Sequence, residues 1–82
     1  MYFLYILRCR DGTLYTGITT DLTRRIEEHN SSQLGSKYTR GRRPVKLVYS
    51  QEFVDRGDSS KEEARIKSLS RAEKLTLLKT FS

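Results

Sequence analysis

Five side chains in this sequence have the types and spacing to act together on a phosphodiester: Tyr5, Tyr15, Arg25, His29 and Glu63. Cleaving such a bond needs an activated water, neutralisation of phosphate charge and help for the leaving oxygen. Arg25 offers a permanent, planar cation matched to phosphate oxygens. Glu63 offers a hard oxygen ligand for Mg²⁺ or Mn²⁺. Because Mg²⁺ keeps several waters and takes few protein carboxylates, a single glutamate points to one ion rather than a two-metal clamp. Tyr15 or Tyr5 could accept a proton from the attacking water if the metal and Arg25 lower the phenol pKa from its usual value of about 10. His29, one helical turn beyond Arg25, can hydrogen-bond the phosphate or a tyrosine. Each residue also has an ordinary structural role open to it. The tyrosines suit any strand, Arg25 can pair with Glu28, and His29 can sit at a core edge. Ser60-Lys61-Glu62-Glu63 has the form of a capping box with Glu63 at its third helical position.

For these side chains to meet, the elements that carry them must converge. Residues 2–9 form an apolar run rich in Tyr, Phe, Leu and Ile, and residues 13–18 form a second strand pattern. Between them Arg10-Asp11-Gly12 is a turn. A two-residue Asp11-Gly12 turn puts Tyr5 and Tyr15 on opposite sheet faces. A three-residue Arg10-Asp11-Gly12 loop, with Gly12 left-handed, puts them on the same face. The sequence leaves both open. Residues 21–30 read as a helix capped by Asp21, with Leu22, Arg25, Ile26 and His29 along one stripe. Residues 31–44 lack apolar periodicity and read as a basic loop. Residues 45–53 read as a third strand, broken by Gly57, Asp58 and Ser59. Helices are predicted from about Ser60 to Ser68 and from about Arg71 to Thr80, the second with Ala72, Leu75 and Leu78 on one face. Ser70 and Glu73 match a capping box for it. Together these predict an α+β fold: a small antiparallel three-stranded sheet flanked by helices, spanning residues 1–82 as one domain.

Composition narrows the partners. The chain has 82 residues, is 35% hydrophobic and 32% charged, and carries a net charge of +6. A chain this short buries roughly 60–65% of its unfolded surface. No acidic residue lies between Glu28 and Glu52, while that interval holds Lys37, Arg40, Arg42, Arg43 and Lys46. A concentrated cationic surface attracts polyanions through counterion release and steering. Nucleic acid is therefore the expected partner, with Lys37, Arg40, Arg42 and Arg43 as contacts. The apolar runs fall short of the roughly 20 residues that span a membrane. No basic region precedes an apolar N-terminal stretch, so no signal peptide is expected. A lone cysteine, Cys9, forms no internal disulfide and suits a reducing cytoplasm; it reads as a small buried hydrophobe.

Phe3-Leu4-Tyr5, followed ten residues on by Tyr15-Thr16-Gly17, resembles the two halves of the GIY-YIG nuclease signature. Arg25 follows Tyr15 by ten positions and His29 follows Arg25 by four, as in that superfamily. Glu63, within Glu63-Ala64-Arg65-Ile66-Lys67, resembles the family's metal-binding glutamate. The segments around Tyr5–Cys9, Leu14–Ile18, Lys37–Val45 and Leu69–Lys74 resemble the small stand-alone bacterial proteins of the UPF0213 type. Phe3 replaces the first glycine of the signature, Leu4 its isoleucine, and Thr16 the second isoleucine; Gly17 keeps its place. A polar residue that some GIY-YIG nucleases use late in the domain has no clear counterpart, and Leu75 or its neighbours fall near that place. The resemblance implies an endonuclease fold, metal-dependent cleavage of DNA more than RNA, 5′-phosphate and 3′-hydroxyl ends, and Tyr15 as base with Tyr5 as its partner. Low sequence specificity is expected, because no appended DNA-binding domain is present. The alternatives are a non-catalytic nucleic-acid-binding module of the same fold and a protein-interaction module with incidental charge.

Overall fold

The computed structural model describes residues 1–31 and 35–79. Three strands, β1 (Tyr2–Arg8), β2 (Leu14–Thr19) and β3 (Lys46–Phe53), form one antiparallel sheet in the order β2-β1-β3. Four helices accompany it: α1 (Leu22–Ser31), α2 (Lys37–Arg40), α3 (Arg56–Lys67) and α4 (Arg71–Lys79). The α+β class and the three-stranded sheet agree with the sequence reading.

The central strand β1 is buried on both faces, which is why its sequence is a nearly unbroken apolar run rather than an alternating one. Its odd and even residues feed two separate cores. Tyr5, Leu7 and Cys9 pack with Val45, Tyr15, Leu47 and the α1 residues Leu22 and Ile26. Leu4 and Ile6 pack with Ile66 of α3, Leu69, and Leu77 and Leu78 of α4. The sheet thus has α1 on one face and α3 with α4 on the other. In α4, Leu78 packs as its pattern predicts, but Ala72 is exposed and Leu77 takes up the contact instead. Thr80, the predicted end of that helix, lies outside the described residues.

The hairpin takes the three-residue loop. Cys9 N donates to Thr13 O at 2.8 Å, and Gly12 N donates to Cys9 O at 2.9 Å. Gly12 has φ +85°, which a side chain would strain. The register that follows sets Tyr5 opposite Gly17 and Leu7 opposite Tyr15, so both tyrosines project from the same face.

Two boundaries differ from the sequence expectation. The helix predicted from Ser60 begins at Arg56. Asp55 caps it by accepting a hydrogen bond from Gly57 N at 2.6 Å, and Gly57, Asp58 and Ser59 form its first turn instead of a break. Ser60 and Glu63 therefore lie inside the helix, and the predicted Ser60–Glu63 capping box does not exist. The basic loop also contains a helical turn, α2, capped by Ser36 Oγ accepting from Thr39 N at 3.2 Å. By contrast, the Ser70–Glu73 capping box forms as predicted, with Ser70 N donating to Glu73 Oε1 at 2.9 Å and Glu73 N to Ser70 Oγ at 3.2 Å. The Arg43-Pro44 peptide is cis. Among the described residues, no helix is long and apolar enough to cross a membrane.

Candidate active site

An open cavity of about 480 Å³ lies at the free edge of the sheet, against β2. Its wall draws on both layers of helices: Arg25 comes from α1, and Arg56, Ser60 and Glu63 come from successive turns of α3. The strands add Tyr2, Tyr5, Tyr15 and Gly17. Four of the five residues singled out by chemistry, namely Tyr5, Tyr15, Arg25 and Glu63, thus share one concave surface. Gly17 explains how Tyr5 reaches it. The Tyr5 ring crosses Gly17, and a Cβ there would sit 2.6 Å from the Tyr5 hydroxyl and 2.7 Å from its Cζ. No other residue type leaves that passage open.

His29 is not on the cavity wall. It is fully buried behind Tyr5, with both ring nitrogens engaged. Nε2 lies 3.0 Å from the Tyr5 hydroxyl and Nδ1 lies 2.8 Å from Thr39 Oγ1. The rings of Tyr5 and Tyr15 meet the imidazole edge-on, at centroid distances of 5.9 and 5.2 Å. Of the two partners open to His29 in the sequence, tyrosine or phosphate, the described contact is with tyrosine. Burial, reinforced by the Arg25 cation, pushes its pKa down to about 4, so the ring is neutral at pH 7. Burial likewise pushes the Tyr5 phenol up to about 12, against the pull of a hydrogen bond from Arg25. Arg25 is itself braced by Glu28, whose Oε1 accepts from Nη1 at 3.0 Å.

Glu63 is the one carboxylate among the cavity-lining residues. Its side chain is partly exposed and pairs with Lys67 Nζ at 3.3 Å, one turn along the helix. It is close enough to Tyr5 for its charge to raise that phenol's pKa further. Among the described residues no group of three His, Cys, Asp or Glu gathers as a metal cage.

The four cations of the basic segment separate into two pairs. Lys37 and Arg40 are exposed on α2. Arg42 and Arg43, expected to be exposed, are partly buried and hold the fold together. Arg42 Nε pairs with Asp11 Oδ2 at 3.0 Å, its Nη1 donates to Tyr38 O at 2.8 Å, and its guanidinium lies over the Tyr38 ring at 4.2 Å. Arg43 donates to the carbonyls of Glu28 and His29, closing the C-terminal end of α1. Charged groups at helix ends take up orphan carbonyls, and composition does not reveal which arginine will do so.

Sequence reasoning passed over Thr39 and Arg56. Thr39 sat in a stretch read as a loop. Arg56 sat in a stretch read as the break before a helix, so its i, i+7 relation to Glu63 was hidden. With the correct helix start, 56, 60 and 63 fall on one face.

A family model described as the GIY-YIG catalytic domain matches residues 1–76. A UPF0213 protein of Desulfotalea psychrophila is 59% identical over 78 residues, covering 95% of this chain and 71% of the relative. A UPF0213 protein of Halobacterium salinarum is 49% identical over 77 residues, covering 94% of this chain and 99% of the relative. Two solution NMR structures share the fold at 44% identity. One, a UPF0213 protein of Bacillus halodurans, has a TM-score of 0.64 over 98% of this chain and 85% of that one. The other, from E. faecalis, has a TM-score of 0.66 over 96% and 83%. With the signature tyrosines, Arg25 and Glu63 gathered at one cavity and the family model matching residues 1–76, the chain belongs to the GIY-YIG family.

Proposed function

We propose that this protein is a metal-dependent endonuclease that hydrolyses nucleic-acid phosphodiesters, with DNA as its polymer and little sequence specificity. The observation that carries the proposal is the meeting of Tyr5 and Tyr15 from the sheet with Arg25 and Glu63 from the two helical layers, on one polar cavity at the sheet edge. GIY-YIG nucleases as a family use divalent metals, and the donor set here fits one. Glu63 supplies a hard, partly exposed carboxylate oxygen toward an open polar space, which suits Mg²⁺ or Mn²⁺ with its remaining positions left to water and substrate. When bound, the ion neutralises phosphate charge and assists the leaving oxygen.

In this reading Arg25 and Arg56 hold the phosphate between two cations. The base must be a tyrosine that can shed its own proton as it takes one from water, because a phenol with a pKa raised to about 12 is protonated at pH 7. Tyr5 has that outlet in His29 Nε2 at 3.0 Å. We therefore assign Tyr5 as the base and Tyr15 as the residue that confines water and phosphate beside it. Water loses a proton to the Tyr5 oxygen as the Tyr5 proton passes to Nε2. The new P–O bond forms, the P–O3′ bond breaks, and the 3′ oxygen leaves with a proton from solvent. Nε2 afterwards returns its proton to the Tyr5 oxygen, which releases its own to water in the cavity. Lys37 and Arg40 are the proposed contacts to flanking phosphates, with Arg42 and Arg43 acting mainly by holding that segment in place. The free, buried Cys9 suits a cytoplasmic protein.

Glu63→Gln tests the proposal. It removes the charge a hard cation needs, while the helix loses only a partly exposed ion pair worth about 0.5 kcal/mol or less. Nicking of supercoiled DNA should fall roughly 10²–10³-fold across a Mg²⁺ or Mn²⁺ titration, with DNA binding and the thermal melt nearly unchanged. Full activity of Glu63→Gln would reject the metal role. A wild type inactive with every metal, on DNA and on RNA, would favour the second reading, a nucleic-acid-binding module; the Glu63–Lys67 pair at 3.3 Å is the feature that supports it.

A further inference from the structure

The proton path assigned to Tyr5 requires that His29 Nε2 be unprotonated before the reaction. A neutral imidazole has two tautomers, and the hydrogen bond made by the other nitrogen selects between them. At Nδ1 that partner is Thr39, a residue given no role so far. We infer that Thr39 is a positioning residue that holds His29 in the Nδ1–H tautomer, so that Nε2 can accept the Tyr5 proton. The inference rests on the nuclease reading of the same site.

The assignment follows from counting donors at both ends of a buried chain. Two polar groups hydrogen-bond the Tyr5 oxygen, the Arg25 guanidinium and His29 Nε2, while the Glu63 carboxylate acts on it through its charge alone. Arg25 has no lone pair to offer, so it donates to the Tyr5 oxygen. If Nε2 also carried a hydrogen, it too would donate there, and the Tyr5 hydroxyl proton would have no acceptor. A donor left buried and unpaired loses its hydrogen bonds to water with nothing in exchange. The reacting water donates to this oxygen, so it does not supply the missing acceptor. The consistent arrangement has Tyr5 O–H donating to Nε2, which leaves the neutral ring its hydrogen on Nδ1.

The far end agrees. Nδ1–H then donates to Thr39 Oγ1 at 2.8 Å. A threonine hydroxyl carries one hydrogen, and it has an acceptor waiting: the Ser36 carbonyl, 3.1 Å away. Ser36 Oγ, which accepts from Thr39 N, lies 3.2 Å from Thr39 Oγ1 and can donate its own hydrogen to it. Every hydrogen in the chain Tyr5–His29–Thr39–Ser36 has a destination. Both His29 and Thr39 are fully buried, so water does not compete for either nitrogen. Once Nε2 takes the Tyr5 proton, the same Thr39 oxygen still accepts from Nδ1–H and steadies the imidazolium.

This chain has a single histidine, so one imidazole accounts for every ring-nitrogen signal. Long-range ¹H–¹⁵N NMR of uniformly labelled wild type at neutral pH should show protonated Nδ1 and unprotonated Nε2. Thr39→Val keeps the shape and removes the hydroxyl; it should shift the ring toward the Nε2–H tautomer. It should also lower kcat by roughly 10²-fold with KM unchanged. Thr39→Ser should restore both. An Nε2–H tautomer in the wild type overturns the inference, and this measurement needs no variant should Thr39→Val fail to fold. So does a folded Thr39→Val with wild-type tautomer and rate. A wild type that cleaves neither DNA nor RNA removes the role along with the reading beneath it, whatever its tautomer.

Discussion

Acid should unfold this protein through His29. The imidazole is enclosed by Tyr5 and Tyr15 from the sheet, Arg25 and Glu28 from its own helix, Thr39 from α2 and the Arg43 guanidinium at its backbone. Burial and the Arg25 charge push its pKa down to about 4, from 6.5 in an unfolded chain. Between those values the unfolded chain binds a proton that the folded one does not. Stability therefore rises with pH across this window, and is lost as pH falls from about 6.5 toward 4. The full gap is about 3 kcal/mol, and integrating from pH 7 to pH 5 leaves about 2 kcal/mol. For a chain of this size that lowers the melting temperature by about 10 °C. Carboxylates confuse the window little. Glu28 beside Arg25, Glu62 beside Arg65, Glu73 at the Ser70 backbone and Asp11 beside Thr13 are all held below their usual range, so their contribution is lost at more acid pH than that of His29. Urea denaturation at about pH 7 and about pH 5, beside an NMR titration of the single imidazole, measures both halves of the argument. A His29 resonance titrating near 6.5, or equal stability at the two pH values, would refute the claim that this ring is buried neutral.

Two further outcomes follow from particular contacts. Gly17→Ala puts a Cβ 2.6 Å from the Tyr5 hydroxyl, so the ring must leave His29; cleavage should collapse and stability fall by about 1–3 kcal/mol, read by nicking rate and urea midpoint, and a fully active variant would show that the passage is not needed. Reversing charge at Lys37 and Arg40 together should weaken binding to DNA of any sequence and flatten the log-affinity against log-salt slope by roughly 2, leaving the fold intact, whereas the same reversal at Arg42 and Arg43 should unfold the segment because both hold backbone carbonyls; equal melts for the two double variants would undo that distinction.

Much of the architecture was legible because it depends on local chemistry. The apolar run of residues 2–9, the alternating third strand, the Asp21 start and the Ser70–Glu73 box are decided by neighbours within a few positions, and each formed. The start of α3 was misplaced for the same kind of reason. Gly57-Asp58-Ser59 carries strong turn propensity, but Asp55 supplies a cap and Ser59 buries itself against the fold, so tertiary packing outweighed propensity. Within the site, the sequence named the tyrosines, Arg25, His29 and Glu63, since those residue types at that spacing suit phosphate, metal and proton. It left open which face the tyrosines share, because one residue in a hairpin loop flips every side chain after it, and the left-handed Gly12 settles that only in the folded chain. Nor did it separate His29 from the cavity, give Thr39 a purpose, or distinguish arginines that hold the fold from cations that face solvent. Those distinctions arise where segments distant in sequence pack together: burial turns a histidine neutral, a threonine ten residues away meets its Nδ1, and two arginines turn inward to carbonyls left over at helix ends.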